Sequence, residues 1–154
     1  LTDSYCISMA FWNGMPNDAR ATTGWLLSND YPHAISQHGE HLGISGTGSN
    51  ATPGRLMLQQ GISEPVLGKT EIPRWKWNHL LFVKDGKRVR VYLNENPEPE
   101  IDVAIETSGK PESATYFIGG RSDNQSNFEG RIDEVAFFKG VPMSLVPQSD
   151  SSNK

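Results

Sequence analysis

The sequence predicts an all-β protein, an antiparallel β-sandwich, from two observations. Most apolar segments alternate with a period of two, as strands require, and no segment of about eleven residues keeps the helical period of about 3.6. The chain is also rich in turn formers, with 15 Gly and 10 Pro. About nine or ten short strands, spaced roughly 8–12 residues apart, are typical of a sandwich.

The composition bounds the size of the protein and excludes several function classes. With 154 residues and 17.0 kDa, the chain has the length of one domain. The net charge of −4 argues against a nucleic-acid partner held by bulk electrostatics. No apolar run approaches the ~18 residues of a membrane span. The single cysteine, Cys6, excludes an intramolecular disulfide and a CxxC zinc site.

The first half of the chain contains five predicted strands. The first covers residues 5–12 and places four apolar side chains on one face: Tyr5, Ile7, Met9 and Phe11. The segment His38-Gly39-Glu40 predicts a tight hairpin between two short strands. The remaining strands of this half are predicted at residues 24–28, 34–37, 41–45 and 55–60.

The second half begins with a clear hairpin. Asp85-Gly86 joins strands over 77–84 and 87–93, because a type I′ turn needs positive φ at both central positions. In the last strand we expect Val135 to line the core. The other strands of this half are predicted at 101–105, 115–118 and 131–138, so the domain covers residues 1–144, followed by a loose tail over 145–154.

Several segments of the second half together carry a family resemblance. They are Trp77–Gly86, Val89–Asn94, Phe117–Gly120 and Phe128–Phe138. In this order they resemble a laminin-G-like domain of the concanavalin A-like lectin/glucanase superfamily. The resemblance implies a jelly-roll sandwich of two curved antiparallel sheets. More narrowly, residues 12–20, 41–44 and 119–124 resemble modules of large exported bacterial proteins that carry c-type cytochrome domains.

The resemblance also implies a context for the chain. We expect a non-catalytic binding module of a larger protein, extracellular or periplasmic, with other domains or subunits as partners. Related domains begin with one or two strands that pair with the last strand, whereas here Leu1 is followed almost directly by the strand at 5–12. We therefore expect residues 131–138 to lack an edge partner or to receive one from another polypeptide.

Catalysis is not predicted. The glucanase branch of the superfamily uses a Glu-x-Asp-x-x-Glu strand, and the chain has none. Asp133 and Glu134 are adjacent, so in a regular strand they point to opposite faces and cannot flank one glycosidic bond. His33, His38 and His41 fall on the predicted hairpin, where we do not expect them to converge on zinc. No nucleophile elbow or phosphate loop occurs.

Calcium is the one cofactor that the family resemblance implies. Laminin-G-like domains often hold Ca²⁺ through carboxylate, amide and carbonyl oxygens, which suit a hard cation. Asp123 and Asn124 are the predicted ligands here. The structural alternative is that they form a turn through their own side chains.

Carbohydrate is the ligand class that the resemblance favours. Sugar sites combine an exposed aromatic face with planar polar partners. If three loops meet at one end of the sandwich, the predicted ligand-binding residues are Asp18, Arg20, His41, Trp75, Arg121, Asp123 and Asn124. Arg20 and Arg121 can equally tie loops together. A protein-docking or structural domain without a small ligand stays open as an alternative, and a degenerate glycoside hydrolase is the third.

Overall fold

The computed structural model describes residues 3–48, 50–105 and 114–149. These residues form ten strands and no helix. The strands are β1 Ser4–Asn13, β2 Thr22–Asp30, β3 Glu40–Ser45, β4 Arg55–Gln60, β5 Val66–Glu71, β6 Trp77–Asp85, β7 Arg88–Leu93, β8 Ile101–Ala104, β9 Thr115–Ile118 and β10 Gly130–Lys139. Within the described ranges, no helix is long and apolar enough to cross a membrane.

The strands form two five-stranded sheets. The first has the order β10-β1-β6-β7-β8 and the second the order β5-β4-β3-β2-β9. Neighbouring strands are antiparallel in both sheets. The predicted all-β antiparallel sandwich is therefore confirmed.

The core lies between the two sheets and follows the predicted alternation of β1. Tyr5, Ile7, Met9 and Phe11 are buried between the sheets, whereas Cys6 packs in a separate cluster on the outer face of the first sheet. Leu42 and Ile44 of β3 enter the same core from the second sheet. Burial of each such side chain stabilises the fold by roughly 1.5–3 kcal/mol.

The predicted hairpin around His38-Gly39-Glu40 is wrong. Residues 34–37 form no strand, and β3 pairs with β2 instead, with Ser28 opposite His41. The loop from 31 to 39 is organised by the carboxylate of Asp30, which accepts hydrogen bonds from Tyr31 N (2.8 Å), Ser36 N (2.8 Å) and Ser36 Oγ (2.7 Å). These bonds satisfy backbone groups that a hairpin ladder would have paired.

Strand β5 has no counterpart in the sequence prediction. Its side chains are exposed or half-buried, so no apolar alternation marks it. Glu100 holds it in place by accepting bonds from Lys69 N (2.6 Å), Thr70 N (2.8 Å) and Thr70 Oγ1 (2.6 Å). Burial raises the pKa of Glu100, but these hydrogen bonds outweigh burial and leave the pKa below its ordinary value.

Strand β10 is an edge strand with a bulge. It pairs with β1, and no further strand of the described residues lies beyond it. The register shifts between Ser8 and Ala10, and Glu134 adopts a positive φ of 52°. This extra residue changes which side chains face inward. Val135 is consequently 36% exposed, so the expectation that it lines the core is wrong.

Replacing Val135 with Ala is expected to lower the free energy of unfolding by about 1 kcal/mol or less, because the side chain is poorly buried. Leu80→Ala is the buried comparison and should cost about 2–5 kcal/mol through lost burial and a cavity. Urea denaturation followed by circular dichroism measures both. Equal losses in the two variants would contradict the placement of Val135.

The C-terminal segment packs on the outer face of the first sheet. Val146 is buried against a cluster of Cys6, Leu81 and Tyr92, and Leu145 lies beside it. The sequence predicts a loose tail over residues 145–154. Of its described residues, Leu145 and Val146 contact the sheet. The segment also forms one wall of a groove described below.

Candidate ligand-binding site

Three of the predicted site residues meet on the outer face of the second sheet: His41, Arg121 and Asp123. Leu42 and Ile44 of β3 point into the core, so His41 points to the opposite face. There the His41 ring packs edge-on against Trp25, with ring centroids 5.8 Å apart. Arg121 also lies over the Trp25 ring, its guanidinium carbon 4.7 Å from the ring centroid. Both His41 and Trp25 are buried, so neither offers a surface to a ligand.

His41 is neutral at physiological pH. Its pKa is lowered to about 4, mainly by burial and in part by Arg121, against the opposing effect of Asp30, Asp123 and Glu40. Its Nδ1 is hydrogen-bonded to Ser28 Oγ at 2.8 Å, and its Nε2 lies 3.6 Å from Asp30 Oδ2, too far for a hydrogen bond. A Cβ on Gly39 would overlap the Asp30 carboxylate and the His41 ring, so only glycine closes the loop over this pair.

The arrangement around His41 resembles a catalytic triad: Ser28 stands where a nucleophile would, His41 where the base would, and Asp30 where the orienting carboxylate would. All three side chains are buried. The Asp30 carboxylate is already engaged by three donors of the 31–39 loop. A substrate has no access to a buried hydroxyl, so this trio holds the loop on the sheet and is not an active site.

Arg121 and Asp123 form the half-buried top of the same cluster. Arg121 Nε and Nη2 donate to Asp123 Oδ1 (2.9 Å) and Oδ2 (2.8 Å). Burial raises the pKa of Asp123, but the bonds from Arg121 and from the backbone of Gln125 outweigh it and lower the pKa overall. Arg121 therefore ties the loop to the sheet through its contact with the Trp25 ring.

The predicted calcium ligands do not fit a calcium ion in this arrangement. Both carboxylate oxygens of Asp123 accept bonds from the Arg121 guanidinium, and Asn124 Oδ1 accepts one from Asn127 Nδ2 at 2.8 Å. A cation is thus already paired with the carboxylate that would have bound the metal. Over residues 3–48, 50–105 and 114–149, no group of three or more His, Cys, Asp or Glu side chains converges on a metal position.

The other predicted residues lie outside the His41 cluster. Arg20 donates to the carbonyl oxygens of Thr22, Thr23 and Asn127 and pairs with Glu129 at 2.9 Å, so it ties loops together. Asp18 is exposed. Trp75 is 61% exposed in a positive-φ turn, with the guanidinium of Arg74 4.3 Å from its ring centroid.

A groove that the sequence did not predict lies on the outer face of the first sheet. Its volume is about 570 Å³, within the range of ligand sites. Trp77, opposite Trp12 in the sheet register, is 50% exposed along it. A half-exposed indole on a regular strand is unusual, because aromatic rings in a sandwich are normally buried. The polar residues along the groove are Asn78, His79, Asn94, Glu95, Asp133 and Glu134.

The groove has a rigid base. His79 Nε2 is hydrogen-bonded to Ser8 Oγ at 2.9 Å, which joins β6 to β1. Asn94 follows β7, accepts a bond from His79 N at 2.8 Å and donates to Asn78 Oδ1 at 3.0 Å. Asn94 and Glu95 both adopt positive φ, which turns the chain sharply at the end of β7. His79 and Asn94 are thus held in place by hydrogen bonds to neighbouring strands.

Asp133 and Glu134 both line the groove. The expectation that they point to opposite faces is wrong, because the bulge places Glu134 at positive φ and breaks the alternation. Asp133 Oδ1 accepts the backbone N–H of Glu134 at 2.8 Å, which stabilises the bulge. The dipeptide Asp133-Glu134 does not show that a bulge lies there, because the bulge depends on how β10 pairs with β1. This part of the site was therefore not predicted from the sequence.

The groove continues towards the C-terminal segment. A second compartment of about 430 Å³ shares His79 and Glu95 with the first. Its far wall is formed by residues 143–148, which pack beside Leu81 and Tyr92. The outer face of the first sheet therefore carries an elongated depression with an aromatic, acidic end and a less acidic end beside the C-terminal segment.

Comparison with solved structures shows the same fold in several proteins, two of which contain a bound saccharide. Domain 4 of an extracellular arabinanase from Geobacillus stearothermophilus, in complex with arabinotriose, has a TM-score of 0.59 at 20% identity over 90% of this chain and 61% of that chain. A heptameric pentraxin from Limulus polyphemus has a TM-score of 0.60 at 20% identity, over 88% and 63%. The sialidase module CBM40 from Ruminococcus gnavus, bound to α2,3-sialyllactose, has a TM-score of 0.66 at 13% identity, over 94% and 80%.

The chain thus spans less than two thirds of the first two of these proteins. No curated protein sequence matches it. At these identities the likeness shows the fold alone. A family model does match, over residues 1–143. The chain therefore belongs to the laminin-G-like domains of the concanavalin A-like lectin/glucanase superfamily.

Proposed function

We propose that the chain is a non-catalytic carbohydrate-binding module that holds a saccharide against Trp77 in the groove on the first sheet. The half-exposed Trp77 indole in a polar groove carries the proposal. Sugar rings have an apolar face of C–H groups that stacks on an indole, and hydroxyls at their rims that bond to polar side chains. The groove supplies both surfaces.

The similar structures support the ligand class. An arabinanase domain with arabinotriose and a sialidase module with sialyllactose share this fold. The Glu-x-Asp-x-x-Glu motif of the glucanase branch is absent from the sequence, which favours binding without hydrolysis. We propose in addition that the module belongs to a larger exported protein, on the resemblance of residues 12–20, 41–44 and 119–124.

The test compares two exposed tryptophans. A glycan array identifies a saccharide, and calorimetry measures its affinity for the wild type, Trp77→Ala and Trp75→Ala. We expect Trp77→Ala to weaken binding by tenfold or more, since the stacking surface is lost. Trp75→Ala is the matched control and should bind like the wild type, because Trp75 does not line the groove.

Two results contradict the proposal. One is an array without any saccharide bound by folded protein. The other is a saccharide whose affinity depends on Trp75 and not on Trp77, which would move the site to the loops of the sequence prediction. Release of reducing ends from a bound oligosaccharide would overturn the non-catalytic part alone.

A second candidate function is protein docking at the β9–β10 edge. Ile118, Val135 and Phe137 are large apolar side chains that are exposed together on these two edge strands. Exposed apolar patches at a sheet edge are typical of protein contacts. Sedimentation velocity of the wild type and of Phe137→Asp distinguishes protein docking from saccharide binding. Self-association of the wild type that Phe137→Asp abolishes would favour docking.

A further inference from the structure

We infer that the Trp77 groove selects oligosaccharides that carry protonated amino groups, over neutral or acidic ones of the same length. The inference rests on the proposed function and names the ligand class within it. Two observations carry it. The groove presents carboxylates and no ammonium or guanidinium group, and those carboxylates flank an exposed indole.

The carboxylates of the groove face no Lys or Arg side chain along it, and its one other titratable side chain is His79. These carboxylates are those of Glu95, Asp133 and Glu134. None of the three carboxylates has an ion-pair partner among the residues that the structure describes. The nearest cation on β10 is Arg131, which is occupied over the Trp12 ring at 5.0 Å. A cationic ligand would therefore supply a partner that the protein lacks.

The carboxylates stand on both sides of the indole. Trp77 lies on β6, Glu95 follows the neighbouring strand β7, and Asp133 and Glu134 lie on β10, on the other side of β1. Adjacent strands are about 4.8 Å apart, so the two acidic sides are separated by roughly 14 Å. That separation exceeds one pyranose ring, so only an oligosaccharide stacked on Trp77 reaches both sides.

An amino group on such a ligand gains from each of these features. A charge-assisted bond between an ammonium and a carboxylate is roughly twice as strong as a neutral hydrogen bond. The indole face also attracts cations. An N-acetylated sugar of the same shape loses both contributions, and an acidic sugar is repelled by the carboxylates.

A lysine-rich peptide offers the same charge but fits the groove less well. The floor of the groove is formed by β1 and β6, and each of these strands is hydrogen-bonded to a neighbour on both sides. An extended peptide lying over β1 and β6 therefore has no free strand edge beneath it, and the nearest free edge, that of β10, lies at the side of the groove. Recognition here depends on side chains alone, which suits a stacked saccharide.

The experiment measures affinities by calorimetry at pH 6 and low ionic strength. The ligands are the glucosamine tetrasaccharide, the N-acetylglucosamine tetrasaccharide, a neutral glucose tetrasaccharide and tetralysine with blocked ends. We expect the glucosamine tetrasaccharide to bind at least tenfold more tightly than the other three, and this preference to shrink as salt is added.

Variants assign the preference to the groove. Asp133→Asn with Glu134→Gln removes two charges and keeps the side-chain shapes, and it should reduce the preference at least fivefold. Glu64→Gln removes an exposed charge elsewhere and serves as the control, with the wild-type preference retained. Thermal unfolding confirms that each variant is folded.

The outcomes are distinguishable. Neutral and cationic tetrasaccharides that bind equally, and only with Trp77 intact, would overturn the charge preference and leave the proposed function standing. Absence of binding to all three saccharides and to the array would remove both. Tighter binding of tetralysine than of the glucosamine tetrasaccharide would overturn the saccharide in favour of a basic peptide. A preference unaffected by the double variant would show that the groove carboxylates do not determine it.

Discussion

Replacing Lys84 with Met is expected to lower the free energy of unfolding by about 3–5 kcal/mol. Lys84 of β6 and Glu40 of β3 form a buried ion pair between the two sheets. Tyr5 Oη donates a second bond to the Glu40 carboxylate, at 3.2 Å. Removing the ammonium leaves a buried carboxylate without its counter-charge, and that desolvated charge is the source of the loss.

The matching double variant separates charge from packing. Lys84→Met with Glu40→Gln removes both charges, and the Gln side chain still accepts the bond from Tyr5. Since replacing both members of a buried pair is often neutral, we expect most of the lost stability to return. Urea denaturation of the wild type, both single variants and the double variant completes the cycle.

An exposed ion pair provides the control. Lys69 and Glu98 are 2.6 Å apart at the surface, and Lys69→Met should change stability by less than about 1 kcal/mol. Two results would show that the buried pair is not coupled in this way: a Lys84→Met loss no larger than that of Lys69→Met, or a double variant as unstable as the sum of its single variants.

The second large effect is a loss of stability in mild acid that depends on His41. Its pKa is about 4 in the folded protein and 6.5 ordinarily, because burial disfavours the charged ring. Between these values the unfolded chain binds the proton and the folded protein does not, so stability falls as the pH falls. At about 1.4 kcal/mol per unit, the expected loss between pH 7 and pH 5 is about 2 kcal/mol.

Denaturation at both pH values, on three proteins, checks this expectation. His41→Gln cannot take up the proton and should lose about 2 kcal/mol less than the wild type over the interval, whatever its stability at pH 7. His33→Asn changes an exposed histidine and should keep the wild-type dependence. An unchanged dependence in His41→Gln would mean that other groups cause the acid sensitivity.

Many strands of the sandwich can be predicted from local sequence patterns. The alternation of Tyr5, Ile7, Met9 and Phe11 predicts a strand with one buried face. Asp85-Gly86 predicts a hairpin between β6 and β7, and the structure has that hairpin with its turn one residue later, at Gly86-Lys87, where only Gly86 has positive φ. Both signals are local, since each depends on neighbouring residues alone. Strand β5 was not predicted, because it is an exposed edge strand without apolar alternation. It is held by Glu100, which lies thirty residues away along the chain.

The candidate site was less accessible to sequence reasoning. His41, Arg121 and Asp123 were predicted together, and they do meet, but around a buried ring that ties a loop to the second sheet. Polar residues of this kind look the same in sequence whether they bind a ligand or each other. Only the burial of His41 and the pairing of Arg121 with Asp123 distinguish the two.

By itself, the sequence determined the fold class and the family of this protein, because both are read from local periodicity, turn residues and motif order. The tertiary structure decided which residues form a groove. It brought Trp77, Glu95 and the Asp133–Glu134 bulge together from three strands or strand ends. A bulge depends on how β10 pairs with β1, and exposure depends on what lies above a strand, so neither is encoded in a local pattern.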